Sequence, residues 1–338
     1  MNKVLLVFDS EKALEEFLKT STELGYAFER VGGLILLGKD ISEEELIALL
    51  YETEEEVLKH LRLYTGEFDY KSCEELLEVV PKAEPIESFF DEFLFKNIGR
   101  ILIDTKIFFH PIISVQEKRV WAFEALCRPP VHIVSLLSIG KKVSRFSETF
   151  CRDRALDRFS EFRDYGIYLF LNFHPKFLKD PFESFGDFLS SVYLYGLNPE
   201  QIVVELTEHE EMELNAIKHL ISFLKSEKVK VALDDVGAGY SGLFYLSELK
   251  PDIIKIDMEL VRDIHKHNLK KVIVNYLIKI AHENDMIVVA EGVEKIEELE
   301  TVVYMGVDLV QGFLFSKPIE NPNFEELNKK AKEILSSV

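Results

Sequence analysis

Six apolar runs in the C-terminal two thirds of the chain end in an acid, an amide or a lysine–acid pair. Glu124 follows Val120-Trp121-Ala122-Phe123, Asn172 follows Tyr168-Leu169-Phe170-Leu171, and Glu205 follows Ile202-Val203-Val204. Asp234-Asp235 follows Val231-Ala232-Leu233, Lys255-Ile256-Asp257 follows Ile253-Ile254, and Glu291 follows Ile287-Val288-Val289-Ala290. A short apolar run ending in a functional side chain reads as a buried parallel strand that presents the group at its C-terminal end. Around a closed barrel, all these groups would share one face. Carboxylates crowded there repel one another unless cations join them, so the pattern implies a metal site. Adjacent acids such as Asp234 and Asp235 can bridge and separately hold two cations about 3.5–4 Å apart. The glycines that follow, Gly237 and Gly239, allow a tight loop near a ligand. Lys255 lies inside an apolar run, where an ammonium must be paired or lose its charge; the neighbouring acids supply pairing.

Eight strand candidates position these groups: Phe108–Ile113, Val120–Ala125, Tyr168–Leu171, Ile202–Glu205, Lys230–Leu233, Ile253–Ile256, Ile287–Ala290 and Leu309–Val310. Helical patterns over Phe182–Tyr195, Glu211–Ser226, Leu269–Asn284 and Ile296–Met305 fill most gaps. Eight such units match the size of a β/α barrel. The first two strands are joined only by Ser114–Arg119, too short for a parallel crossover, so they should form an antiparallel hairpin.

The expected fold is α/β: a TIM-like (β/α)8 barrel with an antiparallel first strand pair, plus a small N-terminal α/β domain. Residues 1–80 read as a regulatory or dimerisation module, 81–98 as a linker and helix, and 99–338 as the barrel. In the module, Lys3–Phe8 and Phe28–Leu37 read as strands, the latter interrupted at Gly32-Gly33. Glu11–Leu18, Ser42–Tyr51, Thr53–Leu63 and the region around Leu76–Val80 read as helices, with capping-box spacing at Ser42/Glu45 and Thr53/Glu56.

The 338 residues carry a net charge of −20, which argues against a nucleic-acid polymer or an anionic membrane surface as the main partner. A small anionic ligand stays possible, because bound cations invert the local field. Cys73, Cys127 and Cys151 are scattered and odd in number, and read as reduced thiols of a cytoplasmic protein. No run reaches the roughly 18 apolar residues of a membrane span. The first residues read as a strand rather than a signal peptide.

Six segments then occur in order: Glu124-Ala125-Leu126-Cys127-Arg128, Glu205-Leu206-Thr207-Glu208, Asp234-Asp235-Val236-Gly237-Ala238-Gly239-Tyr240-Ser241, Lys255-Ile256-Asp257, Ala290-Glu291-Gly292-Val293-Glu294 and Gln311-Gly312. Together they resemble the EAL-domain phosphodiesterases, which hydrolyse cyclic di-GMP to linear pGpG with Mg²⁺ or Mn²⁺. The resemblance implies metal ligation by Glu124, Asn172, Glu205, Asp234 and Asp235, with Asp234 bridging two ions. It places Lys255, Glu291, Glu124 and Gln311 in catalysis; Glu291 reads either as a water-positioning base or as a ligand of the second metal, and Gln311 as bonding the attacking water or Glu291. Arg128, Leu126, Asp257 and Glu291 fall to substrate binding, and Glu208 to support of the loop after Asp235. Ca²⁺ should bind and inhibit, since its longer, looser coordination misplaces the water. A homodimer through the barrel is also implied.

A catalytically silent cyclic di-GMP receptor is the alternative, kept open by Val236, Gly242 and Pro129-Pro130-Val131, which depart from the usual residues. An unrelated barrel enzyme acting on a sugar phosphate would not require the ordered motifs. His110 and His174, where relatives usually have Gln and Ser, read as non-ligands, and His265 and His267 as solvated.

Overall fold

Val4 to Phe8 alternate between two apolar faces, and both are buried, as a central strand requires. The computed structural model describes residues 3–38, 41–66, 72–86, 98–99, 102–129, 141–173, 181–207, 214–237 and 242–338. Its N-terminal unit contains β1 (Lys3–Phe8), α1 (Glu11–Glu23), β2 (Phe28–Gly32), β3 (Ile35–Gly38), α2 (Glu43–Tyr51), α3 (Glu55–Leu58), β4 (Leu61–Gly66), α4 (Cys73–Val79) and β5 (Glu84–Pro85). The sheet order is β2-β3-β1-β4-β5, with every pairing antiparallel. Val4, Leu6 and Phe8 pack with Leu14 and Phe17 of α1 and Leu49 and Leu50 of α2. Leu5 and Val7 pack on the other face with Leu37, Val79 and Ala83.

Two readings of this unit change. The Ser42–Glu45 capping box is present, but Thr53 donates instead to the Leu49 carbonyl at 2.8 Å. The expected helix over Thr53–Leu63 is therefore a single turn, α3, followed by strand β4. Leu61 and Leu63 are two apart and both buried, the period of a strand. Gly32-Gly33 turns one long strand into the β2–β3 hairpin. The chain divides into two units with a boundary near residue 100, residues 141–144 at the start of the helix Lys141–Phe159 being grouped with the first, and β5 with buried Ile86 extends the first sheet into the stretch read as linker. Residues 87–97 of that stretch lie outside the described residues.

The second unit contains β6 (Lys106–Ser114), β7 (Arg119–Arg128), α5 (Lys141–Phe159), β8 (Tyr168–Phe173), α6 (Pro181–Leu194), β9 (Ile202–Thr207), α7 (Leu214–Ser226), β10 (Lys230–Val236), α8 (Gly242–Leu249), β11 (Ile253–Ile256), α9 (Met258–Val261), α10 (Asn268–His282), β12 (Ile287–Ala290), α11 (Ile296–Tyr304), β13 (Leu309–Gln311) and α12 (Phe324–Leu335). Strands β6 to β13 close into an eight-stranded barrel. β6 is antiparallel to both neighbours, β7 and β13; the other pairings are parallel. The short hairpin expected between the first two strands is thus present. Helices bury apolar residues three and four apart against the outside, such as Ile217, Leu220, Ile221 and Leu224 of α7.

One residue from each strand fills an inner layer: Ile112, Ala122, Phe170, Val203, Ala232, Ile253, Val289 and Leu309. This layer plugs the barrel. Trp121 stacks on Tyr168 at 4.2 Å beside it. Strand side chains alternate, so the residue two positions along each strand shares its inward face.

Candidate active site

Two positions beyond the plug lie Glu124, Asn172, Glu205, Asp234, Lys255, Glu291 and Gln311. On β6, which runs the other way, the matching residue precedes the plug: it is His110, paired in register with Glu124. One alternation rule therefore collects the acids, the lysine, the two amides and the histidine above one apolar layer. Contrary to the expectation from the apolar runs, Glu124, Asn172 and Glu205 do not end their strands. β7 continues to Arg128 because β6 pairs with it to Lys106.

Lys255 is the centre of this ring and is 1% exposed. Its Nζ lies 2.6 Å from Glu205 Oε1, 2.8 Å from Glu291 Oε1 and 3.0 Å from Asp234 Oδ1. Burial alone would push the Lys255 ammonium down, but Glu124, Glu205, Glu291 and Asp234 outweigh it and hold its pKa well above the ordinary value. One positive charge cannot balance four negative ones. Burial, then repulsion from Glu124 and Asp234, pushes Glu205 well up despite Lys255. Burial, only partly offset by Lys255, and repulsion from Asp234 and Glu124 raise Glu291 to about 8.

Glu124 differs. Burial pushes it up, but Lys255 and hydrogen bonds from Gln311 and Asn172 prevail and hold it below the ordinary range. Gln311 Nε2 donates to Glu124 Oε2 at 2.8 Å, and Asn172 Nδ2 to Oε1 at 3.3 Å. Gln311 therefore bonds Glu124, not Glu291, although β13 pairs with β12 as well as with β6. Asp257 caps α9, its Oδ1 accepting from the Glu259 amide at 2.8 Å. Leu126 and Arg128 continue the Glu124 face towards the rim, about 7 and 14 Å further on at strand rise. Arg128 is exposed and donates to the Cys127 carbonyl at 3.1 Å.

Alternation should send Asp234 and Asp235 to opposite faces. Instead Asp235 has φ +56°, and the register with β11 shifts between Leu233 and Val236. This bulge turns the second carboxylate back, so that ligand atoms of Asp234, Asp235 and Glu291 lie within 4.8 Å of one another. Aspartate tolerates this left-handed backbone better than most residues. Gly292 has φ +66°, and a Cβ there would overlap Met258; at Gly312 it would overlap the Val293 backbone.

The fit to divalent cations can be judged from these groups. Glu205 is fully buried; among the described residues its Oε1 has only Lys255, at 2.6 Å, and its Oε2 has no hydrogen-bond partner. Anionic oxygens converging with too few donors suit hard cations such as Mg²⁺ or Mn²⁺. In a second cluster, Asp263, His265 and Glu298, both carboxylates are engaged, while His265, read as solvated, is half-buried with its Nδ1 lacking a hydrogen-bond partner among the described residues. Asp263 pairs with Lys266 and Lys295, and Glu298 accepts from three backbone amides.

His110 is the ring member that the sequence reading set aside. Its Nε2 lies 3.1 Å from the Ser316 carbonyl, and burial lowers its pKa. Its position before Pro111-Ile112-Ile113 was the available signal. Glu208 and His174 lie outside the described residues. The cysteine reading is corrected: Cys127 and Cys151 form a disulfide rather than two free thiols, since β7 and α5 bring their Cα atoms to 5.8 Å.

A family model described as the EAL domain matches residues 103–318. The blue light- and temperature-regulated antirepressor BluF of Escherichia coli is 30% identical over 62% of this chain and 53% of its own length. The probable cyclic di-GMP phosphodiesterase PdeN of Escherichia coli is 27% identical over 66% of this chain and 45% of its own. The chain thus spans about half the length of these curated relatives or less. A standalone EAL protein from Vibrio cholerae, solved bound to c-di-GMP, superposes with a TM-score of 0.59 at 29% identity, over 66% of this chain and 98% of its own. BlrP1 of Klebsiella pneumoniae, solved with manganese and cy-diGMP, gives 0.59 at 26% identity, over 94% of this chain and 97% of its own. With the family match over most of the barrel, in the order of strands that builds the carboxylate ring, the chain belongs to the EAL domain family, which includes cyclic di-GMP phosphodiesterases.

Proposed function

We propose that this chain hydrolyses cyclic di-GMP to linear pGpG. The observation that carries the proposal is the inward ring in which one lysine faces Glu205, Asp234 and Glu291 while Asp235 is turned to join them. Named phosphodiesterases among the relatives, and solved relatives carrying c-di-GMP, support the substrate. Glu124, Asn172, Glu205 and Asp234 would hold one Mg²⁺ or Mn²⁺, and Asp234 with Asp235 a second. When bound, such ions neutralise the phosphodiester, acidify water and stabilise the leaving oxygen.

The chain's own groups supply the rest. Lys255 Nζ orients Glu205, Asp234 and Glu291 and keeps a positive charge beside the scissile phosphate. Glu291, whose proton affinity is raised, accepts the proton of the attacking water at its carboxylate. Gln311 fixes Glu124 through Nε2, so that this carboxylate keeps one orientation. Arg128 binds a ligand phosphate from the rim, as a planar multi-donor group suits, and Leu126 and Asp257 line the path between.

The N-terminal unit would act as the regulatory or dimerising module. A barrel homodimer is part of the proposal, supported by the exposed Leu269, Val272, Ile273, Tyr276 and Ile280 along α10. A cytoplasmic site is proposed with the substrate; among the described residues no helix is long and apolar enough to cross a membrane.

The test is incubation with cyclic di-GMP and Mn²⁺, with pGpG measured by chromatography. Product is expected, and none from Glu124→Ala; Ca²⁺ in place of Mn²⁺ should bind without turnover. Ligand binding without product would establish the silent receptor instead. Neither binding nor product would defeat both readings.

A further inference from the structure

The disulfide joins β7 three residues beyond Glu124 to the second half of α5. The next residue of α5, Arg152, lies 4.1 Å from the centre of the Phe173 ring, and Phe173 follows Asn172 on β8. Arg152 is held from behind by buried Glu148 at 3.5 Å. One turn of α5 therefore grips the ends of two adjacent strands, one by a covalent bond and one by a cation over a ring. On β7 the grip falls beside Arg128, whose Nη1 is bonded to the carbonyl of Cys127 itself.

We propose that Cys127 and Cys151 form a reversible thiol–disulfide site, which takes a dithiol as its reductant and controls how firmly β7 presents Arg128 to the ligand. In a reducing compartment a disulfide of this kind is transient and regulatory rather than structural. Cys127 is half-buried and Cys151 buried, so exchange begins at Cys127. A thiolate of the dithiol bonds to Cys127 Sγ, the bridge breaks, and Cys151 leaves as a thiolate that takes up a proton. The second thiol of the same molecule then attacks the mixed disulfide. Cys127 is released as a thiol, and the reagent departs as its own disulfide. Two electrons and two protons pass from the dithiol to the pair.

The opened form keeps the Arg152–Phe173 grip on β8 and loses the covalent one on β7. Arg128 then samples more positions, so that ordering it is added to the cost of binding. The metal-site residues lie deeper in the barrel and keep their partners. Reduction should therefore raise KM more than it lowers kcat. The readout rests on the cyclic di-GMP reading; the thiol count does not.

The experiment uses the full chain equilibrated with oxidised or reduced dithiothreitol. Denatured samples should label one thiol, Cys73, in the oxidised state and three in the reduced state. KM for cyclic di-GMP should rise roughly five-fold on reduction, about 1 kcal/mol of lost pre-organisation, with little change in kcat. Reoxidation should restore the first value. Cys151→Ser should have the reduced KM in both buffers, while Cys73→Ser should respond as the parent does. Should Cys151→Ser fail to fold, the reversible change in the parent protein decides the matter. Three labelled thiols in every buffer, or one KM in both redox states, would overturn the proposal. Absence of binding and turnover in both states defeats the functional reading, and with it the control of binding, while the thiol count still decides whether the bridge exists.

Discussion

Lys255 holds together groups that would otherwise repel. Its removal leaves Glu205, Asp234 and Glu291 converging without their shared ammonium. Lys255→Ala should lower kcat by about 10²–10⁴-fold in the Mn²⁺ assay, the range of a lost group acting on proton transfer. A variant within a few fold of the parent would remove Lys255 from the mechanism. Gly312 works sterically. A side chain there would push on the Val293 backbone, which is bonded on both sides, Val293 N to Gln311 O and Leu314 N to Val293 O. Gly312→Ala should destabilise by about 1–3 kcal/mol, as overpacking does. It should also lower activity by displacing Gln311 from Glu124; denaturant melts and the hydrolysis assay check the two effects. Most of the ring was legible because an acid after an apolar run is conspicuous. His110 was not, because β6 is reversed and its inward residue comes before the run rather than after it. The convergence of Asp235 with Asp234 was hidden too, since alternation predicts divergence and only the φ of +56° reverses it.

At the level of elements, periodicity found every barrel strand, and pairing decided where each one stops. Apolar character ends at Ala125, but the hairpin partner carries β7 on to Arg128, next to the disulfide. In the N-terminal unit the capping-box spacing at Thr53 suggests a helix through Leu63, but Leu61 and Leu63 belong to strand β4. A two-residue signal at a helix start is weaker than the burial of a strand edge-to-edge with β1. The disulfide was unreadable because residues 127 and 151 become neighbours only once α5 lies against β7. Closing that 24-residue separation removes freedom from the unfolded chain. Reduction should cost about 3.5 kcal/mol of stability on the loop-entropy estimate. Thermal unfolding with and without dithiothreitol measures it; an unchanged midpoint would show that the bridge does not constrain the unfolded ensemble.

For the whole molecule, two properties follow from surplus acid and surplus apolar surface. The α10 ridge gives the dimer its test: Tyr276→Asp should convert a two-chain species into a single chain by light scattering, and a monomeric parent would end this part of the proposal. Inside the barrel, Glu124, Glu205, Asp234 and Glu291 face the one ammonium of Lys255, so cations and protons compete for the same oxygens. Without cations, Glu291 titrates near 8 instead of its ordinary 4.5, and Glu205 is also raised. Between those values the folded state binds more protons than the unfolded chain. Stability must then fall as pH rises through this window, by up to about 1.4 kcal/mol per pH unit for each such group. Carboxylates held below their ordinary values, such as Glu124, act below about pH 4.5. His110, pushed down by burial, acts in the opposite sense below about 6.5, so pH 7 to 8 isolates the effect. In EDTA the melting temperature should drop across that interval. Mn²⁺ should raise it more at pH 8 than at pH 7, because a cation takes the place of the lost protons. Glu291→Gln should make the EDTA profile shallower, leaving the part due to Glu205. A cation-free protein that gains stability from pH 7 to 8 would mean that the ring is not short of positive charge, and the metal assignment would lose its electrostatic basis.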